Sequence, residues 1–323
     1  MIYTLQNGTL QMQVSSFGAR VLSLIVPDRN GKRADVIVGY ETPEEYMTLP
    51  GERFFGAAIG RVANRLGGAR FTLDGKVFEL AQNDHGNTLH GGFIGFDRVE
   101  WHVDSVSKNA IVLSLMDPDG QEGWPGNLKV RMTYELTPEN AFKVSYSAVT
   151  DKPTLCNLTH HSFFNLTGDA STPITGHQLQ IVARAYLPVD GMLIPTGEVR
   201  PVDGTPFDFR ESKTIGRDID AAGGYDHNWC LDGEGLRQVA SLYEPESGRR
   251  MDVLTDRCGI QFYSGNFFDG SYVGKGGRLI GHRCALALET QAWPDAIHHP
   301  GFPDTVLRPG NTYTHTCIYR FSY

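Results

Sequence analysis

The chain has 323 residues, 40% of them hydrophobic and 20% charged. That supplies a large core and excludes a compositionally disordered chain. A formal charge of -8 with no clustered Lys and Arg excludes a general nucleic-acid binder, which needs basic groups to neutralise phosphates.

In chain order, period-two alternation dominates. TLQMQV and IVLSLM alternate apolar with polar residues, and LKVRMTYEL points Leu128, Val130, Met132, Tyr134 and Leu136 to one side and Lys129, Arg131, Thr133 and Glu135 to the other, which is the pattern of a half-buried strand. AFKVSYSAV, HQLQIVARA and TYTHTCIYRF continue it. The turn-forming stretches PDRNGK, DPDG, TPEN and EPESGRR separate these runs at hairpin and meander spacings. Only PEEYM and ESKTIGRDI have the look of one or two helical turns. The expected fold is therefore all-β: one large antiparallel β-sandwich with few short helices. No linker, composition shift or fixed-period repeat divides the chain, so residues 1–323 are expected to form a single domain.

No basic segment followed by an apolar run opens the sequence, and no stretch reaches the length of a membrane span. A soluble, cytoplasmic protein with no membrane partner is expected. Cys156, Cys230, Cys258, Cys284 and Cys317 lie far apart and are odd in number, as reduced core thiols would be.

Chemistry is sought where a strand carries polar groups on a face that should be apolar. In TLCNLTHHSFFNLTG, parity puts His160 with Thr154, Cys156, Leu158, Ser162 and Phe164, and His161 with Asn157, Thr159, Phe163 and Asn165. His161 reads either as a ligand-facing residue in a polar row or as a buried histidine satisfied by its neighbours. In CALALETQAWPD, Glu289 ends a row formed with Ala285 and Ala287; it faces either a ligand, with space beside the alanines and a raised pKa, or water or an Arg at a strand end. GYDHNWCL carries Asp226, His227 and Asn228; IGRVANRLGG carries Arg61, Asn64 and Arg65; NDHGNTLHGGFIGFD carries His85 and His90. The adjacent pairs His160/His161 and His298/His299 face opposite ways on a strand and cannot chelate one metal together. H-E-x-x-H, G-x-x-x-x-G-K-[ST] and G-x-S-x-G are all missing from the sequence. What remains is histidines, carboxylates, amides such as Gln261, and aromatics such as Trp124 and Phe207, a set suited to a sugar: aromatic faces take the C–H side of the ring and planar polar groups bond its hydroxyls.

Taken together, FGAAIGRVANRL, NTLHGG, EGWPGNL, NLTHHSFFNLTG, GYDHNW, QFYSGNFFDG and LETQAWPDAIHHPGFPDTVLRPG resemble the aldose 1-epimerase (galactose mutarotase) family, nearly end to end and in family order. The resemblance implies the large antiparallel sandwich of that family and interconversion of the α and β anomers of a free aldose of the galactose or glucose type. It implies Glu289 as general base and His161 as general acid, with Asn64, Arg65, His90, Asp226 and Gln261 binding the sugar. It implies no cofactor and no metal, a small-molecule sugar as partner, and a monomer or homodimer. His160 stands where the family usually has Asn, and Phe163 where Tyr is common; parity sends His160 to the opposite layer. Kept open are a mutarotase for a pentose or other sugar, a non-catalytic carbohydrate-binding protein, and a glycoside hydrolase using Asp226 and Glu289. The mutarotase reading expects Glu289 and His161 on opposite sides of one sugar ring.

Overall fold

A computed structural model of the chain describes residues 1–49 and 51–323. Among the described residues, two large antiparallel sheets dominate. The first has nine strands in the order His102–Val106, Ala110–Asp117, Leu128–Leu136, Ala141–Thr150, Tyr313–Ser322, Arg250–Thr255, Arg237–Tyr243, Gln178–Ile181 and Lys213–Thr214. The second has seven, in the order Arg200–Pro201, Ala183–Leu187, Asp226–Leu231, Gly259–Tyr263, Leu286–Gln291, Phe163–Phe164 and Ile37–Val38. One core lies between them. Val130, Met132, Tyr134 and Val144 of the first sheet meet Trp229, Ile260, Phe262, Leu286 and Leu288 of the second, as expected where two inner faces interdigitate. The all-β sandwich expected from the alternation is the fold observed.

The strand LKVRMTYEL runs over Leu128–Leu136 with alternate residues buried. PEEYM begins the helix Pro43–Thr48, held by a capping box in which Glu45 N–H donates to the Thr42 hydroxyl and the Glu45 carboxylate accepts from Thr42 N–H. ESKTIGRDI supplies the short strand Lys213–Thr214 and a 3-10 turn at Ile215–Arg217.

HQLQIVARA differs from expectation. It is not one strand: Gln178–Ile181 pairs in the nine-stranded sheet and Ala183–Leu187 in the seven-stranded one. Val182, 43% exposed, is the corner. Alternation persists through a change of sheet, so period alone cannot reveal one.

TLCNLTHHSFFNLTG also divides. Thr154–Leu155 pairs with Val306–Leu307, Thr159–His161 with Ala57–Ile59, and Phe163–Phe164 with both Leu286–Ala287 and Ile37–Val38. The parity survives the breaks: Cys156, Leu158 and Phe164 join the inter-sheet core, whereas Phe163 joins a separate aromatic cluster on the other face.

The site lies on that other face of the seven-stranded sheet. Cross-strand register places Asn228, Gln261 and Glu289 in one row across three adjacent strands, with side chains pointing away from the inter-sheet core. Asp226 lies two residues before Asn228 on the same face. All five cysteines are unpaired, and no helix among the described residues is long and apolar enough to cross a membrane.

Candidate active site

Glu289 comes from the strand Leu286–Gln291 and His161 from Thr159–His161. The two segments are joined by side chains. The Thr159 hydroxyl donates to Thr290 O at 2.8 Å, and the Asn157 amide donates to Ala292 O at 3.1 Å while accepting from Ala292 N–H at 2.9 Å. Asn165 is spent in the same way, donating to Asp169 O, Thr172 O and Cys284 O. The polar row expected to face a ligand beside His161 is thus mostly a set of backbone clasps. His161 is the member of that row left facing the site.

With those clasps closed, His161 Nε2 stands 3.4 Å from Glu289 Oε1. Both residues are buried, at 5% and 2% exposure, and each keeps a polar atom, His161 Nδ1 and Glu289 Oε2, with no hydrogen-bond partner among the described residues. Two groups this close cannot sit on opposite sides of a sugar ring. A cyclic hemiacetal, the substrate that the resemblance implies, carries its hydroxyl and its ring oxygen on the same carbon, so an acid and a base acting on it would converge on one point.

The space beside the alanines is also differently used. Ala287 is opposite Phe163 and Tyr263, and Phe55, Phe163, Tyr263 and Phe268 pack with Ala285 and Ala287 in one cluster. The small side chains admit the protein's own aromatic layer. The Phe163 ring then stacks on His161 at 4.9 Å between centroids, and the Phe54 ring stacks on it at 5.9 Å. Trp124 and Phe207 do not take this part. Trp124 is buried beside Phe71 and donates its indole N–H to Gly91 O; Phe207 stacks on Tyr186 at 4.2 Å in the inter-sheet core.

His90 and Asn64 are held as a pair. Asn64 N–H donates to His90 Nδ1 at 3.1 Å, and His90 N–H donates to Asn64 O at 3.0 Å. Both residues are non-glycines in the left-handed region, at φ 62° and 52°, an uncommon conformation that surrounding structure must enforce. Because Nδ1 accepts, the neutral ring carries its proton on Nε2 and donates from there. His90 lies 5.1 Å from His161, ring to ring. The ligating atoms of His90, His161 and Glu289 are within 4.8 Å of one another, a spacing that resembles a metal site. The tautomer of His90 opposes that use, since its one free nitrogen bears the proton.

The remaining expected residues converge as well. Arg65 Nε donates to Asp84 at 2.8 Å, and its Nη1 is 3.8 Å from Asp226 Oδ2. Gln261 Nε2 donates to Asp226 Oδ1 at 2.7 Å. All seven residues singled out from the sequence, Asn64, Arg65, His90, His161, Asp226, Gln261 and Glu289, therefore fall in one buried region. Their neighbours Arg61 and His85 do not: Arg61 is buried against Asp117 and Pro125 O, and His85 is exposed beside Asp84. Phe54 and Glu52 were not singled out, because only the fold brings their loop over His161 and Glu289.

Burial controls the protonation states. It pushes the Glu289 carboxyl well above its ordinary range, aided by Asp226 and Glu52 and opposed by Arg65. It pushes His161 down to about 3, with Arg20 adding to the effect, and lowers His90 well below its usual value, helped by His161 and Arg65. Asp226 is raised by burial, with Arg65 and Gln261 opposing. A protonated Glu289 beside a neutral His161 contains the same single proton as a carboxylate beside an imidazolium, so the close pair is uncharged overall in either arrangement.

Fold and site together define a β-sandwich protein with a buried glutamate–histidine pair ringed by planar polar groups. The family model described as aldose 1-epimerase matches residues 1–320. The galactose mutarotase of Rattus norvegicus is 44% identical over 323 residues, covering 99% of this chain and 93% of that protein. The aldose 1-epimerase of Escherichia coli K12 is 36% identical over 331 residues, covering 99% and 94%. Among solved structures, an aldose epimerase homologue from C. elegans superposes with a TM-score of 0.94 at 30% identity, covering 100% of this chain and 99% of that one. The chain belongs to the aldose 1-epimerase family.

Proposed function

We propose that this protein is an aldose 1-epimerase that interconverts the α and β anomers of a free aldose, of the galactose or glucose type, with residues 1–323 acting as one cytoplasmic unit. The observation that carries the reading is the Glu289–His161 pair, 3.4 Å apart, buried, and with one polar atom of each left without a partner. Relatives named galactose mutarotase and aldose 1-epimerase support it.

In the proposed reaction, Glu289 takes the proton from the anomeric hydroxyl while His161 delivers one to the ring oxygen. The C1–O5 bond breaks and the aldehyde forms. Rotation about C1–C2 presents the other carbonyl face, and closure runs the two transfers backwards. The pair must hold its proton on His161 as the ring opens; substrate contact would draw it there from Glu289 across the short Nε2···Oε1 separation. His90, donating from Nε2, and Arg65 stabilise charge growing on the ring oxygen. Gln261, Asp226 and Asn64 hold hydroxyls so that the hemiacetal meets the pair in one orientation. Every step is a proton transfer, the breaking or re-forming of the C1–O5 bond, or a bond rotation.

The test is polarimetry of freshly dissolved α-D-galactose, α-D-glucose and L-arabinose with purified protein. Faster approach to rotational equilibrium is expected with at least one hexose, and no acceleration with any of the three would sink the reading. A preference for L-arabinose would move the assignment to a pentose.

A further inference from the structure

We infer that Asn228 and Gln291 form a further hydroxyl-recognising subsite of the same pocket and help to set which aldose is accepted. The inference rests on the epimerase reading and adds to its site two residues which that reading does not use.

Gln291 is fully buried, at 0% exposure, yet neither Nε2 nor Oε1 has a hydrogen-bond partner among the described residues. Asn228, at 2% exposure, donates from Nδ2 to Trp229 O and leaves Oδ1 without a partner. Each buried orphan of this kind is costly unless something else completes its bonds. Both side chains leave the same face of the seven-stranded sheet as Glu289 and Gln261: Asn228 is directly opposite Gln261, and Gln291 lies two residues beyond Glu289 on one strand. They are as buried as the expected site residues Glu289, at 2%, and Gln261, at 3%.

Gly259 brings the Asn228 amide towards the row of Gln291. It is the cross-strand partner of Gln291, and a Cβ there would stand 2.8 Å from Asn228 Oδ1 and 3.0 Å from Trp293 Cδ1. The missing side chain lets the Asn228 amide lean over the Gly259 backbone, towards the Gln291 row and away from Asp226. Gln261 stands directly across from Glu289; Asp226 and Arg65 lie towards one end of that row, and Gln291 with the leaning Asn228 amide towards the other. A ring whose anomeric carbon meets Glu289 and His161 presents hydroxyls in both directions. An amide both donates and accepts, which matches a hydroxyl and no charged group.

The experiment compares wild type, Gln291→Met and Asn228→Leu in polarimetry with D-galactose and its 2-, 3-, 4- and 6-deoxy analogues. With D-galactose, Gln291→Met is expected to lower kcat/KM about 10- to 100-fold. With the analogue lacking the hydroxyl that the amide reads, wild type and variant should coincide. Because Met replaces unpartnered polar atoms at similar volume, its Tm should be unchanged or raised, the opposite of what loss of a structural hydrogen bond would give. Asn228→Leu should erase selectivity for the same or the adjacent hydroxyl. An equal loss with all five sugars and a lowered Tm would reduce the pair to scaffolding, and unchanged kcat/KM would mean that only water completes the amides; either overturns the inference. If wild type accelerates none of the sugars, it is the epimerase reading that fails. Calorimetric titration with the same panel then decides the subsite, by whether Gln291→Met erases one hydroxyl's contribution to Kd.

Discussion

His160 and His161 are adjacent, equally buried, and both pushed by burial to a pKa of about 3, yet they belong to different parts of the molecule. His160 faces the inter-sheet core. Tyr134 donates its hydroxyl proton to Ala19 O and so receives the His160 Nδ1 proton at 3.1 Å, while Ser162 donates to His160 Nε2 at 2.6 Å. Both ring nitrogens are engaged and the tautomer is fixed. His161 faces the site, with Nε2 near Glu289 and Nδ1 unpartnered. Burial and pKa do not separate the two histidines; saturation of their hydrogen bonds does.

The sharpest way to break the comparison is substitution at the pair. Glu289→Gln and His161→Asn should each lower kcat by about 10²- to 10⁴-fold, with smaller changes in KM, since each removes one proton-transfer partner. Loss of turnover in His160→Asn with retention in His161→Asn would reverse the assignment.

Next in size is acid stability, where the two histidines should behave alike. A histidine whose pKa is lower folded than unfolded takes up its proton only on unfolding, so its stabilisation is complete above about 6.5 and is lost as pH falls towards 3. His160 and His161 fall to about 3, and His177 to about 4. Within that window each should withdraw ~1.4 kcal/mol per pH unit, read as a falling Tm. Glu289, raised by burial, has the opposite sign: its contribution is full below its ordinary value and is lost as pH rises through the raised one. Removing His160 should make the acid slope shallower by one proton.

Smaller still is the direct effect of His160→Asn near neutral pH. Leaving the Tyr134 and Ser162 hydroxyls short of a partner should cost about 1–3 kcal/mol of stability, with kcat within severalfold of wild type. The smallest effect is expected from Phe163→Tyr, which adds a hydroxyl to a ring stacked on His161; a change in kcat/KM below about tenfold, differing between galactose and glucose, would tie this position to sugar preference.

Much of this was legible in the sequence where a local pattern and a tertiary face coincide. LKVRMTYEL reads as a half-buried strand and is one; strand parity separated the two histidines correctly even though their segment is broken into three pieces. The seven candidate residues came from motifs, and the fold brings them together. Other features depend on what lies across from a residue, which one strand's pattern does not contain. The alternation of HQLQIVARA runs through a change of sheet, Asn157 and Thr159 turn their polar atoms to a neighbouring backbone, and the alanines before Glu289 make room for Phe163 and Tyr263. Phe54 reaches His161 only through a loop closing over it.

The Asn157 and Thr159 clasps have one more consequence. The ladder of Thr159–His161 is with Ala57–Ile59, whereas Leu286–Gln291 belongs to the seven-stranded sheet. The gap between His161 and Glu289 therefore lies where the backbone pairing of Phe163–Phe164 with Leu286–Ala287 gives way to a seam stitched by side chains. A seam of this kind can be retuned by exchanging one threonine or asparagine without dismantling either sheet, which makes the separation of these two side chains an evolvable length.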